Sequence, residues 1–130
     1  MKNILLILLC LPFIGFGQEW EQIFTDVTYG NDVQQTLDGG YIITGKAGFP
    51  LPSIYLLKVN NNGIEQWRKD FPFPSPTSNG HNDGYSVQQT SDGGYIVAGA
   101  MPDDTSTIDA TLGFLIKTDG IGDLVWETNF

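Results

Sequence analysis

A thirteen-residue run that occurs twice constrains this chain more than any other feature. Val33-Gln-Gln-Thr-Leu-Asp-Gly-Gly-Tyr-Ile-Ile-Thr-Gly45 returns as Val87-Gln-Gln-Thr-Ser-Asp-Gly-Gly-Tyr-Ile-Val-Ala-Gly99, identical at ten of thirteen positions. Further on, Tyr55-Leu56-Leu57-Lys58 returns as Phe114-Leu115-Ile116-Lys117. Gly63, Trp67 and Phe71 match Gly122, Trp126 and Phe130, and the Trp-x-x-x-Phe ending also stands at Trp20 and Phe24. The tryptophans are 47 and 59 residues apart. Self-similarity at such a period marks a supersecondary unit that buries its apolar face against a neighbour of the same kind.

Each unit reads as four strands. In the second copy they fall at 85–90, 95–100, 113–118 and 124–130. These runs are rich in β-branched and aromatic residues and are separated by glycine-containing turns. Asp38-Gly39-Gly40 and Asp92-Gly93-Gly94 predict tight hairpins, because glycine supplies a positive φ and aspartate bonds its own backbone nearby. Asn60-Asn-Asn-Gly63 and Asp119-Gly-Ile-Gly122 predict a second hairpin in each unit. Strand alternation puts Trp67, Lys69 and Phe71 on one face, and Trp126, Thr128 and Phe130 likewise. Each tryptophan and phenylalanine is expected to pack between units. No helical periodicity follows residue 17.

The Val-Gln-Gln-Thr-x-Asp-Gly-Gly-Tyr-Ile run, followed by Leu-Lys or Ile-Lys, a glycine turn and Trp-x-x-x-Phe, resembles the secreted bacterial β-propeller repeats of large cell-surface proteins. The resemblance covers residues 18–130. It implies blades of four antiparallel strands, several blades around a channel, and export to the cell surface. Many such proteins carry a C-terminal sorting domain, and none stands within these 130 residues. The glycine turn before Trp126 is also similar to the tryptophan docking motif of quinoprotein propellers, a likeness in packing only.

The fold class expected is therefore all-β: β-propeller-like, four-stranded antiparallel blades, about two of them, forming an incomplete propeller. Residues 18–25 read as a closing strand, 31–71 as repeat one and 84–130 as repeat two. Closed propellers take about four to eight blades. An open blade face of a few hundred Å² left wet forgoes about 5–10 kcal/mol at about 25 cal/mol per Å², comparable with the stability of a domain. The expectation is a fragment of a longer reading frame, or else a chain that assembles with further blades or with copies of itself.

The amino terminus carries a second signal. A basic start at Lys2 leads into an apolar run over 4–14, and Gly15-Phe16-Gly17 places small residues at −3 and −1 of a cut before Gln18. This is the pattern of a signal peptide over 1–17. The run is shorter than the roughly 20 residues a membrane helix needs, so no transmembrane segment is expected. Cys10, the one cysteine, lies inside the run. Leu8-Leu9 before it lacks the small residues of a lipid-modification site. The mature protein is expected to be secreted or held at the cell surface, without disulfides.

Charge excludes one class of partner. Fifteen acidic and six basic residues give a net charge of −9, and −10 once Lys2 leaves with the signal. Such a surface repels phosphate backbones, so no nucleic acid is expected.

The long connections, at 46–53, 72–83 and 101–111, all leave from one end of a four-strand meander. That end is the candidate binding face, since function concentrates on loops carried by a rigid scaffold. It holds His81 and Asp83 in one connection and Asp103, Asp104 and Asp109 in another. Acidic loops rich in Ser and Thr are ordinarily just solvated. Asp103-Asp-Thr-Ser-Thr-Ile-Asp109 lacks the alternating ligands and central glycine of a calcium loop. Asp119-Gly-Ile-Gly-Asp123 reads as a turn. A single histidine and no mature cysteine leave no zinc set, so no metal and no cofactor are expected. No Gly-x-Ser-x-Gly elbow occurs, and no catalytic residue is assigned. Gln34, Gln35, Gln88 and Gln89 recur at equal places, which suits a structural part. The function expected is an exported, non-enzymatic binding or scaffold module with a protein or glycan ligand. The alternative is a piece of a secreted propeller enzyme, such as a glycan-active one, whose catalytic residues lie elsewhere.

Overall fold

The computed structural model describes residues 21–25, 27, 29–48, 53–72, 82–102 and 111–130. They form eight strands in chain order: β1 (Tyr29–Gln35), β2 (Tyr41–Ala47), β3 (Ser53–Val59), β4 (Glu65–Pro72), β5 (Asp83–Gln89), β6 (Tyr95–Pro102), β7 (Thr111–Thr118) and β8 (Leu124–Asn129). The strands build two four-stranded antiparallel sheets, β1-β2-β3-β4 and β5-β6-β7-β8, each a simple meander. No helix occurs among the described residues. The repeat therefore corresponds to one sheet per unit. Each first strand carries a bulge at the same place, between Gly30 and Asp32 and between Gly84 and Ser86.

The hairpin turns explain the repeated motif. In the first unit the Thr36 N–H donates to the Gly40 carbonyl and the Gly39 N–H to the Thr36 carbonyl, both at 2.9 Å. Thr90, Gly93 and Gly94 repeat the pair at the same lengths. In the second hairpin, Asn60 Oδ1 accepts from the N–H groups of Asn62 and Ile64 at 2.9 and 3.0 Å. Asp119 Oδ1 does the same for Ile121 and Asp123 at 3.0 and 2.8 Å. A short side chain that bonds the backbone two to four residues on closes the turn locally.

The two sheets share one apolar layer. Ile42, Ile54 and Leu56 on the inner face of the first sheet meet Val87, Tyr95, Val97, Phe114 and Ile116 on the facing side of the second. All eight are buried. Trp67, Phe71 and Met101 pack against this layer. The alternation expected for Trp67 and Phe71 thus holds. Trp126 and Phe130, their repeat equivalents, lie on the outer side of the second sheet and are 43% and 75% exposed. On the other side of the first sheet, Ala47, Tyr55, Leu57 and Val59 form a second layer, covered in part by Phe24 and Val27. Residues 21–25 carry no strand pairing.

Trp67 is the keystone between the sheets. Its ring meets Tyr95 edge-on at 5.7 Å between centroids. The ring also lies on the backbone of Gly122, where an added Cβ would come within 2.7 Å of it. Gly122 has φ +86°, so an L side chain there meets both backbone strain and the indole. Beside it, Lys69 Nζ pairs with Asp123 Oδ1 at 2.6 Å. Gly39 has a similar φ, +81°, but open space around its Cβ position. Gly122→Ala is therefore expected to lower unfolding stability by about 3 kcal/mol and Gly39→Ala by about 1 kcal/mol, the αL strain alone. Urea midpoints of the two variants check this; equal losses would mean that Trp67 does not press on the turn.

Candidate functional site

The meander order gathers the long connections at one end of both sheets. They leave from Ala47 and Ser53, from Pro72 and Asp83, and from Pro102 and Thr111. The short turns, at 36–40, 60–64, 90–94 and 119–123, close the other end. Of the residues singled out for the candidate face, Asp83 opens β5 and pairs with Ala100 at this end. His81, Asp103, Asp104 and Asp109 lie outside the described residues.

The frame beneath Asp83 is firmly tied. Asn82 is buried beside it. The next residue, Gly84, accepts at its carbonyl from Asn31 Nδ2 at 2.9 Å. Asp32 Oδ2 accepts from the Val87 N–H at 2.9 Å and from Ser86 Oγ at 3.2 Å. Partial burial pushes the Asp32 carboxyl up, but bonds from Val87, Gln34, Ser86 and Val33 outweigh it and hold the group below its usual value. Strand β1 is thereby stitched to β5 by side chains, in addition to the apolar layer. A loop rooted at β5 is held by both units.

At the opposite end each unit contains a closed polar lock. Lys58, 3% exposed at its side chain, donates from Nζ to both Asp38 oxygens at 3.1 and 2.9 Å. It also donates to the Val59 carbonyl at 3.1 Å and to Gln66 Oε1 at 2.9 Å. Asp38 further accepts from Thr36 Oγ1 at 2.5 Å and from the Gly40 N–H at 3.0 Å. In the second unit Lys117, Asp92, Thr90 and Gly94 repeat the arrangement, with Asp92 to Thr90 at 2.5 Å and to Lys117 at 3.0 Å. Gly40 makes room for it: a Cβ there would fall 2.6 Å from Lys58 Nζ and 2.3 Å from the Val59 carbonyl oxygen. The Thr-x-Asp-Gly-Gly and Leu-Lys or Ile-Lys halves of the motif are thus one device. These acids and lysines serve the turn.

The same end holds an open groove of about 510 Å³ between the two β1–β2 and β5–β6 hairpins. Gln34, Gln35, Thr36, Leu37, Gln88, Gln89, Thr90 and Ser91 line it. Gln89 Oε1 accepts from the Leu37 N–H of the other unit at 2.9 Å, so this glutamine joins the two hairpins. The recurrence of glutamine in the repeat pointed to a structural part but not to a bond between units. Among the described residues no group of three or more His, Cys, Asp or Glu side chains stands close enough to hold a metal ion. Nor do they contain a helix long and apolar enough to cross a membrane. No protein-family model matches the chain, and no curated protein matches it in sequence.

The locks set an acid dependence. Bonds from Thr36, Lys58 and Gly40 hold the Asp38 carboxyl well below the usual carboxylate range. Bonds from Thr90, Gly94 and Lys117 do so for Asp92. A carboxyl lowered in the folded state contributes stability in full above its unfolded value, near 3.8. That contribution is lost as pH falls below it. Denaturant titrations between pH 7 and 2 are expected to show stability falling below about pH 4. Asp38→Asn should cost about 1 kcal/mol at pH 7, because its partner is buried while solvent screens the aspartate, and should flatten the acid loss. An unchanged acid slope in the Asp38→Asn, Asp92→Asn double variant would contradict the assignment.

Proposed function

We propose that this chain is an exported, non-enzymatic binding or scaffold module built of β-propeller blades, its ligand a protein or glycan met outside the cell. One observation carries the reading. Two repeat units, joined by a single apolar layer, send their long connections from the same end of a stiff double-sheet frame. A rigid scaffold that presents loops of variable sequence is the arrangement recurrent in binding modules. The short-turn end is spent on locks that hold its acids and lysines in structural bonds.

Two features of the sequence support the rest. The repeat resembles secreted propeller blades, and the first 17 residues have the pattern of an export signal. A net charge of −9 favours protein or glycan surfaces over phosphate polymers.

Screening the purified chain against glycan and cell-surface protein panels tests the reading. The expected result is saturable binding without cleavage of the ligand. Joint substitution of His81→Ala, Asp83→Asn, Asp103→Asn, Asp104→Asn and Asp109→Asn should weaken that binding at least about tenfold, roughly 1.4 kcal/mol, with the circular dichroism unchanged. Unaltered affinity in the folded variant would remove the long-connection end as the binding face. Turnover of a glycan would replace the module reading with that of an enzyme piece.

A further inference from the structure

The fold accounts for only part of what the repeated glutamines offer. Gln34 and Gln35 of the first unit match Gln88 and Gln89 of the second. Gln89 has a structural bond, since its Oε1 accepts from the Leu37 N–H of the other unit at 2.9 Å. Its Nε2 donates to the Gly93 carbonyl at 3.4 Å. Gln34 Nε2 reaches only Asp32 Oδ1, also at 3.4 Å. Among the described residues no side-chain hydrogen bond holds Gln35 or Gln88. Gln34, Gln35 and Gln88 are exposed, and all three line the groove between the β1–β2 and β5–β6 hairpins. A structural part thus explains Gln89 and leaves the other three with donors and acceptors unspent.

The chemistry of the groove narrows its ligand. Its volume, about 510 Å³, falls within the about 300–1,000 Å³ of small-ligand sites. Such sites are ordinarily lined by apolar groups, whereas amides and hydroxyls dominate here, so the ligand must be polar. None of the lining residues is ionisable. Asp38 and Asp92, on the same turns, are bound to Lys58 and Lys117. A charged ligand would therefore give up water without meeting a counter-charge, which is costly. Each glutamine amide holds two N–H donors and a carbonyl acceptor in one plane. Adjacent hydroxyls of a sugar ring, each both donor and acceptor, match that set. Leu37, 87% exposed, supplies an apolar surface for the C–H face of a ring. Both walls are hairpins closed by the same backbone bonds, and the Gln89–Leu37 bond fixes one against the other. A ligand has only the amide side chains left to order, which keeps the cost of binding low.

We propose that this groove binds a neutral oligosaccharide, with the amides of Gln34, Gln35 and Gln88 on its hydroxyls and Leu37 under a ring face. Gln89 is the positioning residue that holds the two walls together. The groove is a second site, at the end opposite the long connections, and it does not depend on their binding anything.

Nuclear magnetic resonance of the isotope-labelled chain tests this through the side-chain NH2 signals of the glutamines. The probes are neutral oligosaccharides of glucose, mannose, galactose, xylose and N-acetylglucosamine, each added to about 10 mM, enough to fill a site with a Kd of about 1 mM. At least one is expected to shift the Gln34, Gln35 and Gln88 signals saturably. The Gln34→Ala, Gln88→Ala double variant, altered at exposed positions, should fold as the parent does and weaken that binding at least about tenfold. Leu37→Ser, which keeps the N–H bonded to Gln89, is the second variant and should weaken it at least about threefold. The fivefold variant of the long-connection end should leave it unchanged. No saturable shift with any of these sugars overturns the proposal, as does sugar binding that survives in both groove variants. Tighter binding of a sulfated or uronic-acid oligosaccharide, or of an uncharged peptide, at the same signals also overturns it. Groove binding that persists when no ligand is found for the long-connection end overturns the reading of that end alone.

Discussion

A four-stranded sheet has two faces, and a small chain must hide at least one of them. Here the solution is a shared layer: Ile42, Ile54 and Leu56 of one unit against Val87, Val97, Phe114 and Ile116 of the next. Each such side chain contributes about 1.5–3 kcal/mol when fully buried, so neither unit keeps its stability without the other. Trp67 completes the layer and fixes its geometry. The indole sits on the Gly122 turn and edge-on to Tyr95, and Lys69 reaches Asp123 beside it. The outer strand of one unit is thus docked on the outer turn of the next, while Asn31, Asp32 and Leu37 bond β1 and its turn to the inner strand β5.

This division of labour explains the repeated residues. Within a unit, Thr36, Asp38, Gly40 and Lys58 close the first hairpin and bind it to the third strand. Between units, Trp67, Gly122 and Tyr95 set the stacking. Residues that serve the unit itself recur closely: Thr, Asp, both glycines and Lys stand in both copies. The stacking residues recur too, Trp67, Gly122 and Tyr95 as Trp126, Gly63 and Tyr41, whereas the charged pair beside them does not. Lys69 becomes Thr128 and Asp123 stands where the first unit has Ile64.

Much of this was legible in the sequence, for a physical reason. Strand positions and both hairpins follow from period-two alternation and from turn chemistry, which are local. The second-copy strands expected at 85–90, 95–100, 113–118 and 124–130 lie within two residues of β5 to β8 at each end. The common end of the long connections follows from meander order alone. What alternation could not convey is which neighbour a face meets. Trp126 and Phe130 were expected between units, yet both stand on the open side of the second sheet. The Asp38–Lys58 lock joins residues 20 positions apart that the pairing of β2 with β3 brings together, and the Asp32 and Gln89 bonds span more than 50 and form only where the two sheets stack. Of the candidate face, Asp83 opens β5 at the long-connection end, whereas the amide-lined groove at the other end had no sequence signal beyond paired glutamines.

If the shared layer is the constraint on which the chain depends, the two sheets cannot open separately. Native-state hydrogen exchange of the Ile42 and Val97 amides, one in the centre of each sheet, tests this most directly. The account predicts that both exchange only through global unfolding, with the same free energy and the same denaturant dependence as the whole chain. Exchange of one sheet at a distinctly lower free energy, with the other still protected, would contradict it.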